Sequence, residues 1–295
     1  MDTKGVNIMI QKRIVCLLIL TMLLGCGTPR HIPSARDSLP PVNDTPDGMV
    51  LIPAGEFEMG RNQGAANERP VHTVYVDAFY MDIYEVTNAQ YKVFVDANPQ
   101  WQKDNITEEY HDSVYLRLWD GNNYPEGKAD HPVVYVSWYA VMAYAEWAGK
   151  RLPTEAEWEK AARGGLVGKA YPWGDTIDAT RANYFRHINE PIAVGQYPPN
   201  GYGLYDMAGN VSEWCLDEYD SNFYTQSVRE NPFSGGTREE VIKSFKVIRK
   251  KNRVLRGGCW SDNGVFLRVD YRDWGVQHYT SVFRGFRCVK DVPPK

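Results

Sequence analysis

The scarcity of long periodic segments after residue 165 constrains the fold of this chain more than any other sequence feature. From there onward, glycine, proline, asparagine and aromatic residues interrupt every apolar run, and neither the helical nor the strand period is sustained. The sequence therefore predicts an α+β domain with little regular secondary structure. Its loops must be fixed by aromatic packing, bound metal or disulfides.

Short strands are predicted near the start of the domain. Residues 49–53 form a continuous apolar run that ends at a turn, and residues 56–60 alternate between apolar and polar side chains. Alternation from His72 to Tyr80 predicts a third strand.

Three short helices are predicted from their capping signals. Thr87 with Gln90, and Thr154 with Glu157, have the spacing of a capping box, in which two side chains satisfy free backbone amides at a helix start. A further helix is expected from Ser137 to Gly149, because apolar residues recur there at helical spacing and glycine favours a helix end.

The N-terminus has the features of an export signal. Lys12 and Arg13 precede an apolar run over residues 14–24, which is too short for a membrane-spanning helix of ~20 residues but suits a secretory signal. Gly25 followed by Cys26 resembles the site at which lipoprotein signals are cut before a lipid-modified cysteine. The alternative is an ordinary signal peptide with a chance cysteine.

The expected organisation follows from this signal. Residues 1–25 are predicted to be a signal peptide, 26–46 a lipidated Cys26 with an extended proline-rich tether, 47–290 the folded domain, and 291–295 a tail. The start at Met1 or Met9 stays open. Export with lipid anchoring is the predicted localisation, and the lack of Asp after Cys26 is typical of outer-membrane sorting. The expected partners are the membrane, through the anchor, and other envelope proteins.

Charge and cysteine content narrow the possibilities further. A formal net charge of -4 offers no basic footprint, which argues against nucleic acid as a partner. After signal cleavage, Cys215, Cys259 and Cys288 remain beside the acylated cysteine. An odd number allows at most one disulfide within the chain, and export permits it. The sequence does not select the pair.

Sequence blocks over about residues 48–290 resemble the formylglycine-generating-enzyme family, also called sulfatase-modifying factors. Each block alone is a weak signal, but all occur in order. The blocks include Glu68-Arg69-Pro70-Val71-His72, Gly149-Lys150-Arg151-Leu152-Pro153-Thr154-Glu155, Asn200-Gly201-Tyr202-Gly203-Leu204-Tyr205-Asp206, Arg256-Gly257-Gly258-Cys259-Trp260 and Gly285-Phe286-Arg287. The resemblance implies a variant C-type-lectin-like fold, in agreement with the low regular content.

The chain departs from that family at its copper site. The best-known member oxidises a substrate cysteine to formylglycine with copper held by two cysteines, and thiolates suit Cu(I). Here the corresponding positions are Asp262 and Leu267, and residues 260–287 contain no cysteine. The sequence therefore argues against copper and against formylglycine formation. The three-histidine iron site of related sulfoxide synthases is also not expected, since no two histidines are closely spaced.

Calcium is the cofactor that the resemblance favours, because hard cations take carboxylate and carbonyl oxygens from irregular loops. The alternative is that Asp206 and Glu213, the two carboxylates of the implied site, only cap turns. A second site is in doubt, because residues 186–193 contain no aspartate. The implied ligands are Asp206, Gly209, Val211 and Glu213 for the first site, and Asn183 and Tyr184 for the second.

Two functions are compatible with these features. The tether and the missing copper pair favour a non-catalytic interaction or assembly module in the cell envelope. The alternative is a divergent oxidoreductase that acts on a peptide or small molecule in the periplasm. The candidate catalytic residues for that alternative lie near Trp260, and they are Cys259, Asp262, Arg268 and Asp270. Aromatic residues around them are expected in the core, namely Trp214, Trp260, Tyr271 and Trp274.

Overall fold

The computed structural model describes residues 45–293. The predicted signal peptide, the lipidation site Cys26 and most of the tether lie outside the described residues. Within residues 45–293, no helix is both long and apolar enough to cross a membrane.

Short strands and helices alternate with long irregular segments. The strands are β1 (Met49–Ile52), β2 (Gly55–Met59), β3 (His72–Val76), β4 (Phe79–Asp82), β5 (Ser212–Glu218), β6 (Asn252–Arg256), β7 (Asp273–Val276), β8 (Arg284–Gly285) and β9 (Val289–Asp291). The helices are α1 (Asn88–Ala97), α2 (Trp138–Trp147), α3 (Glu155–Arg163) and α4 (Arg238–Ser244).

The strands form three small sheets. β1, β4 and β9 make an antiparallel sheet that joins the first and last strands of the domain. β2 and β3 form a hairpin. The largest sheet has the order β7-β6-β5-β8, with β8 parallel to β5. This sheet brings residues 212–218 and 284–285 together, which positions the candidate site.

The single strand predicted from His72 to Tyr80 is wrong. β3 ends at Val76 and β4 begins at Phe79, and the two strands belong to different sheets. The Asp77 amide donates to the Asn231 side chain at 2.9 Å, and the Asn231 amide donates back to the Asp77 carboxylate at 2.9 Å. The Asp77 backbone amide therefore bonds to a side chain and not to a neighbouring strand. At this point the chain passes from the sheet of β2 and β3 to the sheet of β1, β4 and β9.

The predicted capping boxes are confirmed. Thr87 accepts from the amide of Gln90 and Thr154 accepts from the amide of Glu157, and each helix starts at the next residue. Gly164 caps the C-terminal end of α3, and its φ of 57° lies in the left-handed region that glycine tolerates.

Two aromatic-rich cores hold the domain together. One packs α1 and α2 against Trp214 and Phe286, and the other packs α3 against strands of all three sheets. Trp214 and Trp260 are buried as predicted, but Trp274 is 44% exposed, so its assignment to the core is wrong. All three cysteines in the described residues are free and buried.

Candidate functional site

The segment 206–213 forms a tight loop whose backbone favours glycine at one position. Asp206 and Asn210 both have φ of 57°, and Gly209 has φ of 87°. A Cβ at Gly209 would lie 2.4 Å from the Asn183 carbonyl oxygen. This close approach requires glycine at position 209 and places Asn183 directly against the loop.

Glu213 is held by an arginine and a tryptophan. Arg287 donates to both of its carboxylate oxygens at 2.8–2.9 Å, and Trp158 Nε1 donates to Oε2 at 2.8 Å. Glu213 is 1% exposed and Arg287 is fully buried. This carboxylate therefore already has a strong counter-charge.

Glu85 is a functional candidate that sequence reasoning missed. It is 1% exposed and accepts from Asn210 Nδ2 at 2.6 Å and from the Val211 amide at 3.1 Å. Burial, followed by the charges of Asp206 and Glu213, raises its pKa well above the ordinary value. The Glu85-Val86-Thr87-Asn88 run offered no signal beyond the family resemblance, since its partner lies more than a hundred residues away.

Asp206 adds a third carboxylate to this loop. Its Oδ2 accepts from the Gly195 amide at 2.7 Å. Burial raises the pKa of Asp206 to about 6, and the neighbouring Glu213 charge acts in the same direction. Glu85, Asp206 and Glu213 thus share one guanidinium, that of Arg287.

Asn183, which is implied for the second calcium site, lies against the loop of the first. Its carbonyl accepts from the Asn210 amide at 2.9 Å, and its Nδ2 donates to the Glu190 carbonyl at 2.9 Å. Its buried Oδ1 has no hydrogen-bond partner. Tyr184, the other residue implied for the second site, is half-buried beside His187.

The chemistry of this loop fits calcium in part. An unsatisfied amide oxygen on Asn183 and an excess of carboxylates suit a hard cation. Against it, Glu213 is committed to Arg287, and no three His, Cys, Asp or Glu side chains within residues 45–293 are arranged as a ready metal group. Calcium also binds carbonyl and amide oxygens, which these four side-chain types do not supply. Calcium binding at this loop therefore stays a prediction.

Cys259 and Asp262 form one pair among the catalytic candidates. The Cys259 amide donates to Asp262 Oδ2 at 3.0 Å. Cys259 is 3% exposed, and burial, followed by the Asp262 charge, raises the pKa of its thiol to about 12. At neutral pH the group is a thiol rather than the thiolate that attacks substrates or binds metals.

The family resemblance assigns Leu267 to the position of the second copper cysteine. Leu267 is fully buried in an apolar cluster with Tyr171 and Ala208. Its Cδ1 methyl lies 2.8 Å from the position that a Cβ on Gly258 would take, and its Cδ2 methyl lies 3.2 Å from the corresponding position on Gly209. Hydrocarbon therefore fills this position, and a Cu(I) site does not fit the residues present.

Arg268 and Asp270 form the second pair. Arg268 Nη2 donates to both oxygens of the buried Glu68 at 2.6 Å, and its Nε lies 3.1 Å from Asp270 Oδ1 without hydrogen-bond alignment. Arg61 approaches Asp270 at 3.9 Å. Burial, followed by the Glu159 charge, raises the pKa of Asp270 to about 6. Glu68, which sequence reasoning missed, completes this cluster.

A buried network under α3 accounts for other charged residues in the family-like blocks. Glu155 accepts from Arg272 at 2.7 and 2.8 Å and from Arg256 at 3.1 Å. Glu159 accepts from Arg256 at 2.6 Å and from Arg163 at 2.5 Å. These five residues are almost fully buried, so we call them the α3 network and assign them a structural role.

Comparisons with known proteins identify the family of this chain. Residues 36–292 match the sulfatase-modifying factor enzyme 1-like domain. The formylglycine-generating enzyme of Streptomyces coelicolor is 36% identical over 298 residues, which cover 83% of this chain and 90% of that protein. The inactive C-alpha-formylglycine-generating enzyme 2 of Bos taurus is also 36% identical, with coverages of 83% and 89%.

A longer relative shares the same domain. The serine/threonine-protein kinase pkn1 of Chlamydia pneumoniae is 42% identical over 246 residues. The match covers 83% of this chain but 38% of that protein, so the chain spans well under half of this relative's length.

Solved structures show the same fold. PvdO from Pseudomonas aeruginosa superposes with a TM-score of 0.64 at 25% identity, covering 83% of this chain and 94% of PvdO. Treponema denticola variable protein 1 superposes with a TM-score of 0.60 at 22% identity, covering 83% and 95%. At that identity the second likeness shows the fold alone.

Proposed function

We propose, from the premise that this chain belongs to the sulfatase-modifying-factor family, that its domain is a non-catalytic binding module of the bacterial cell envelope. The family and its α+β, C-type-lectin-like fold were both predicted from the sequence and are confirmed. Fold alone does not determine activity, so the proposal depends on the residues of the site.

The proposal rests on the residues at the two positions that correspond to the copper-binding cysteines, namely Asp262 and Leu267. Asp262 gives its carboxylate to a backbone amide, and Leu267 is part of an apolar cluster. A carboxylate is a hard ligand and leucine is no ligand, so Cu(I) has no partner there. The nearby Cys259 supplies one buried thiol and no second sulfur. One relative with 36% identity is itself named inactive, which is consistent with a non-catalytic member.

Calcium has a structural role in this proposal. The family implies Asp206, Glu213 and the Gly209 and Val211 carbonyls as ligands of the first site. Asn183, implied for the second site, lies against this loop with an unpaired side-chain oxygen. Bound calcium supplies positive charge to a loop whose carboxylates outnumber its arginines. This chain's own contribution is to fix the loop through Asn210, which binds Asn183 and Glu85 at once.

A divergent oxidoreductase is the second candidate, and Asp270 is the observation that favours it. This buried carboxylate has a raised pKa of about 6 and an Oδ1 without a hydrogen bond. A pKa near neutrality suits a general acid or base. Its neighbours Arg268 and Glu68 are already paired with each other, which favours a structural reading.

Metal analysis of the purified full chain separates the two candidates. The binding module predicts calcium and neither copper nor iron in stoichiometric amounts. Stoichiometric copper or iron would instead support the oxidoreductase, and would contradict the proposal.

Envelope tethering is tested at Cys26. The Cys26→Ala variant should lose palmitate labelling and should be released as soluble protein or remain as uncleaved precursor. The matched control is Cys16→Ala, which changes a cysteine inside the predicted signal peptide and should still be labelled. Labelling that persists in Cys26→Ala would refute lipidation at this residue.

A further inference from the structure

A cavity of about 310 Å³ beside α4 shares none of its lining residues with the candidate site. Arg249, Lys251 and Arg253 line it, and Glu218 is the one carboxylate among its lining residues. Its size lies at the lower end of the range for small-molecule pockets.

Arg253 is the unusual residue of this cavity. It is 4% exposed, yet its Nε has no hydrogen-bond partner. Its Nη1 donates to the Leu216 carbonyl at 2.9 Å, and its guanidinium lies 4.1 Å from the centre of the Trp138 ring. Arg256, by contrast, forms ion pairs with two carboxylates. A buried guanidinium with an unused donor indicates a place for an anion.

The charges around Arg253 leave the cavity positive. Lys251 pairs with Glu218 at 2.6 Å, so that carboxylate is already shared. Burial, and then the charge of Arg249, lower the pKa of Arg253 to about 10, although Glu218 and Asp217 act in the opposite direction. An anion placed between Arg249 and Arg253 would relieve both the burial cost and the repulsion.

Three apolar side chains also line the cavity, namely Val241, Phe245 and Val247. Val241 and Phe245 are buried, and Val247 is 55% exposed. Ile248, which follows, is 42% exposed. A ligand that contacts both the cations and these apolar side chains needs a charged group and a hydrocarbon group.

We propose that this cavity binds an anionic amphiphile, in which a phosphate or carboxylate group is carried on a short apolar chain. The planar guanidinium of Arg253 matches the two-oxygen edge of either anion, and Arg249 and Lys251 add charge at its side. Val241, Phe245 and Val247 receive the apolar chain. This site is independent of the calcium loop and of the copper positions.

Calorimetric titration of the full chain with hexyl phosphate, inorganic phosphate and hexanol tests the proposal. Hexyl phosphate should bind roughly tenfold or more tightly than inorganic phosphate, because two or more methylenes leave water. Hexanol should bind weakly, since it lacks the charge.

Three variants locate the binding. Arg249→Gln with Lys251→Gln changes two exposed residues and should keep the fold, and it should weaken hexyl phosphate binding about tenfold or more, by the loss of charge-assisted contacts. Arg253→Met should weaken it at least as much. Lys243→Gln is the control, because Lys243 is an exposed cation of α4 that does not line the cavity.

Several results would overturn the proposal. They are the absence of hexyl phosphate binding, equal affinity in the wild type and the double variant, or equal loss in Lys243→Gln. Equal affinity for inorganic and hexyl phosphate would indicate a site for a free anion, and equal affinity for hexanol would indicate an apolar pocket in which the cations have no role.

Discussion

Two buried charge clusters of this domain differ in how completely they are neutralised. In the α3 network, two glutamates face three arginines, and every carboxylate oxygen has a donor within 3.1 Å. Around the 206–213 loop, the carboxylates of Glu85, Asp206 and Glu213 share Arg287.

The difference separates structural from ligand-dependent charge. Arginines lower the pKa of Glu159 despite its complete burial, and the ion pairs of the α3 network are complete without a group from solution. Burial instead raises the pKa of Asp206 and of Glu85, which makes the loop dependent on protons or on a bound cation. Both clusters lie in family-like sequence blocks, so the resemblance alone could not tell them apart.

The largest effect is expected in the α3 network. Arg256→Met removes a guanidinium that serves both Glu155 and Glu159, and breaking a buried ion pair costs about 3–5 kcal/mol. Urea unfolding should show this loss. The control is Arg229→Gln, at an exposed pair with Glu56, where the expected loss is below about 1 kcal/mol. If Arg256→Met and Arg229→Gln lose similar amounts of unfolding free energy, the α3 network does not contribute more to stability than an exposed ion pair.

Calcium removal should have the next largest effect. With calcium at a hundredfold excess over its dissociation constant, the folded state gains about 2.7 kcal/mol, so EGTA should lower the melting temperature of the wild type. Asp206→Ala should melt at one temperature with or without EGTA, while Asp104→Ala, an exposed loop aspartate, should behave as the wild type. A wild type that melts equally in both conditions would exclude a stabilising calcium site.

The pH dependence without calcium should be smaller and of defined sign. Asp206 has a pKa of about 6 in the folded state against an ordinary 3.8, so the folded state holds the extra proton between these values. Stability should therefore fall as pH rises from about 4 to 6, on the order of 1–2 kcal/mol for this half-buried group.

Asp206→Asn isolates that contribution. In EGTA, the wild type should lose stability relative to this variant as pH rises through the same window, as measured by urea unfolding at several pH values. A difference between the two proteins that does not change with pH would show that Asp206 ionises freely. Calcium should reverse the trend, because the metal competes with the proton.

The smallest effect is expected at Asp262. Its carboxylate serves the amide of Cys259, and asparagine keeps an oxygen acceptor at that place. Asp262→Asn should therefore change the free energy of unfolding by about 1 kcal/mol or less, without any change in metal content. A loss of bound metal in this variant would mean that Asp262 is a ligand.

Local signals predicted the helices better than the strands. Capping boxes predicted α1 and α3, because the two residues of each box are only three positions apart in the sequence. Thr237 and Glu240 form the same kind of capping box before α4, a helix that was not predicted. β5 was missed because its charged residues suggest exposure, whereas Glu213 is buried in the core against a distant partner, Arg287, which lies 74 residues later in the chain.

The candidate site was predictable only in part for the same reason. The family resemblance implied Asp206, Gly209 and Glu213 as members of one loop, and the structure brings Asn183 against it. Glu85 and Glu68 carry no local signal, since the fold alone brings them to Asn210 and Arg268. The pairing of Glu213 with Arg287 could not be read from spacing either.

Mass spectrometry of a Cys-x-Pro-x-Arg peptide, incubated with copper-loaded full chain and oxygen, tests the central claim most directly. The account predicts an unmodified peptide, because Asp262 and Leu267 cannot form a thiolate pair and the Cys259 thiol has a pKa of about 12. Conversion of the peptide cysteine to the aldehyde, lost in Cys259→Ser, would contradict it and would show that this chain is an oxidase with a rearranged sulfur site.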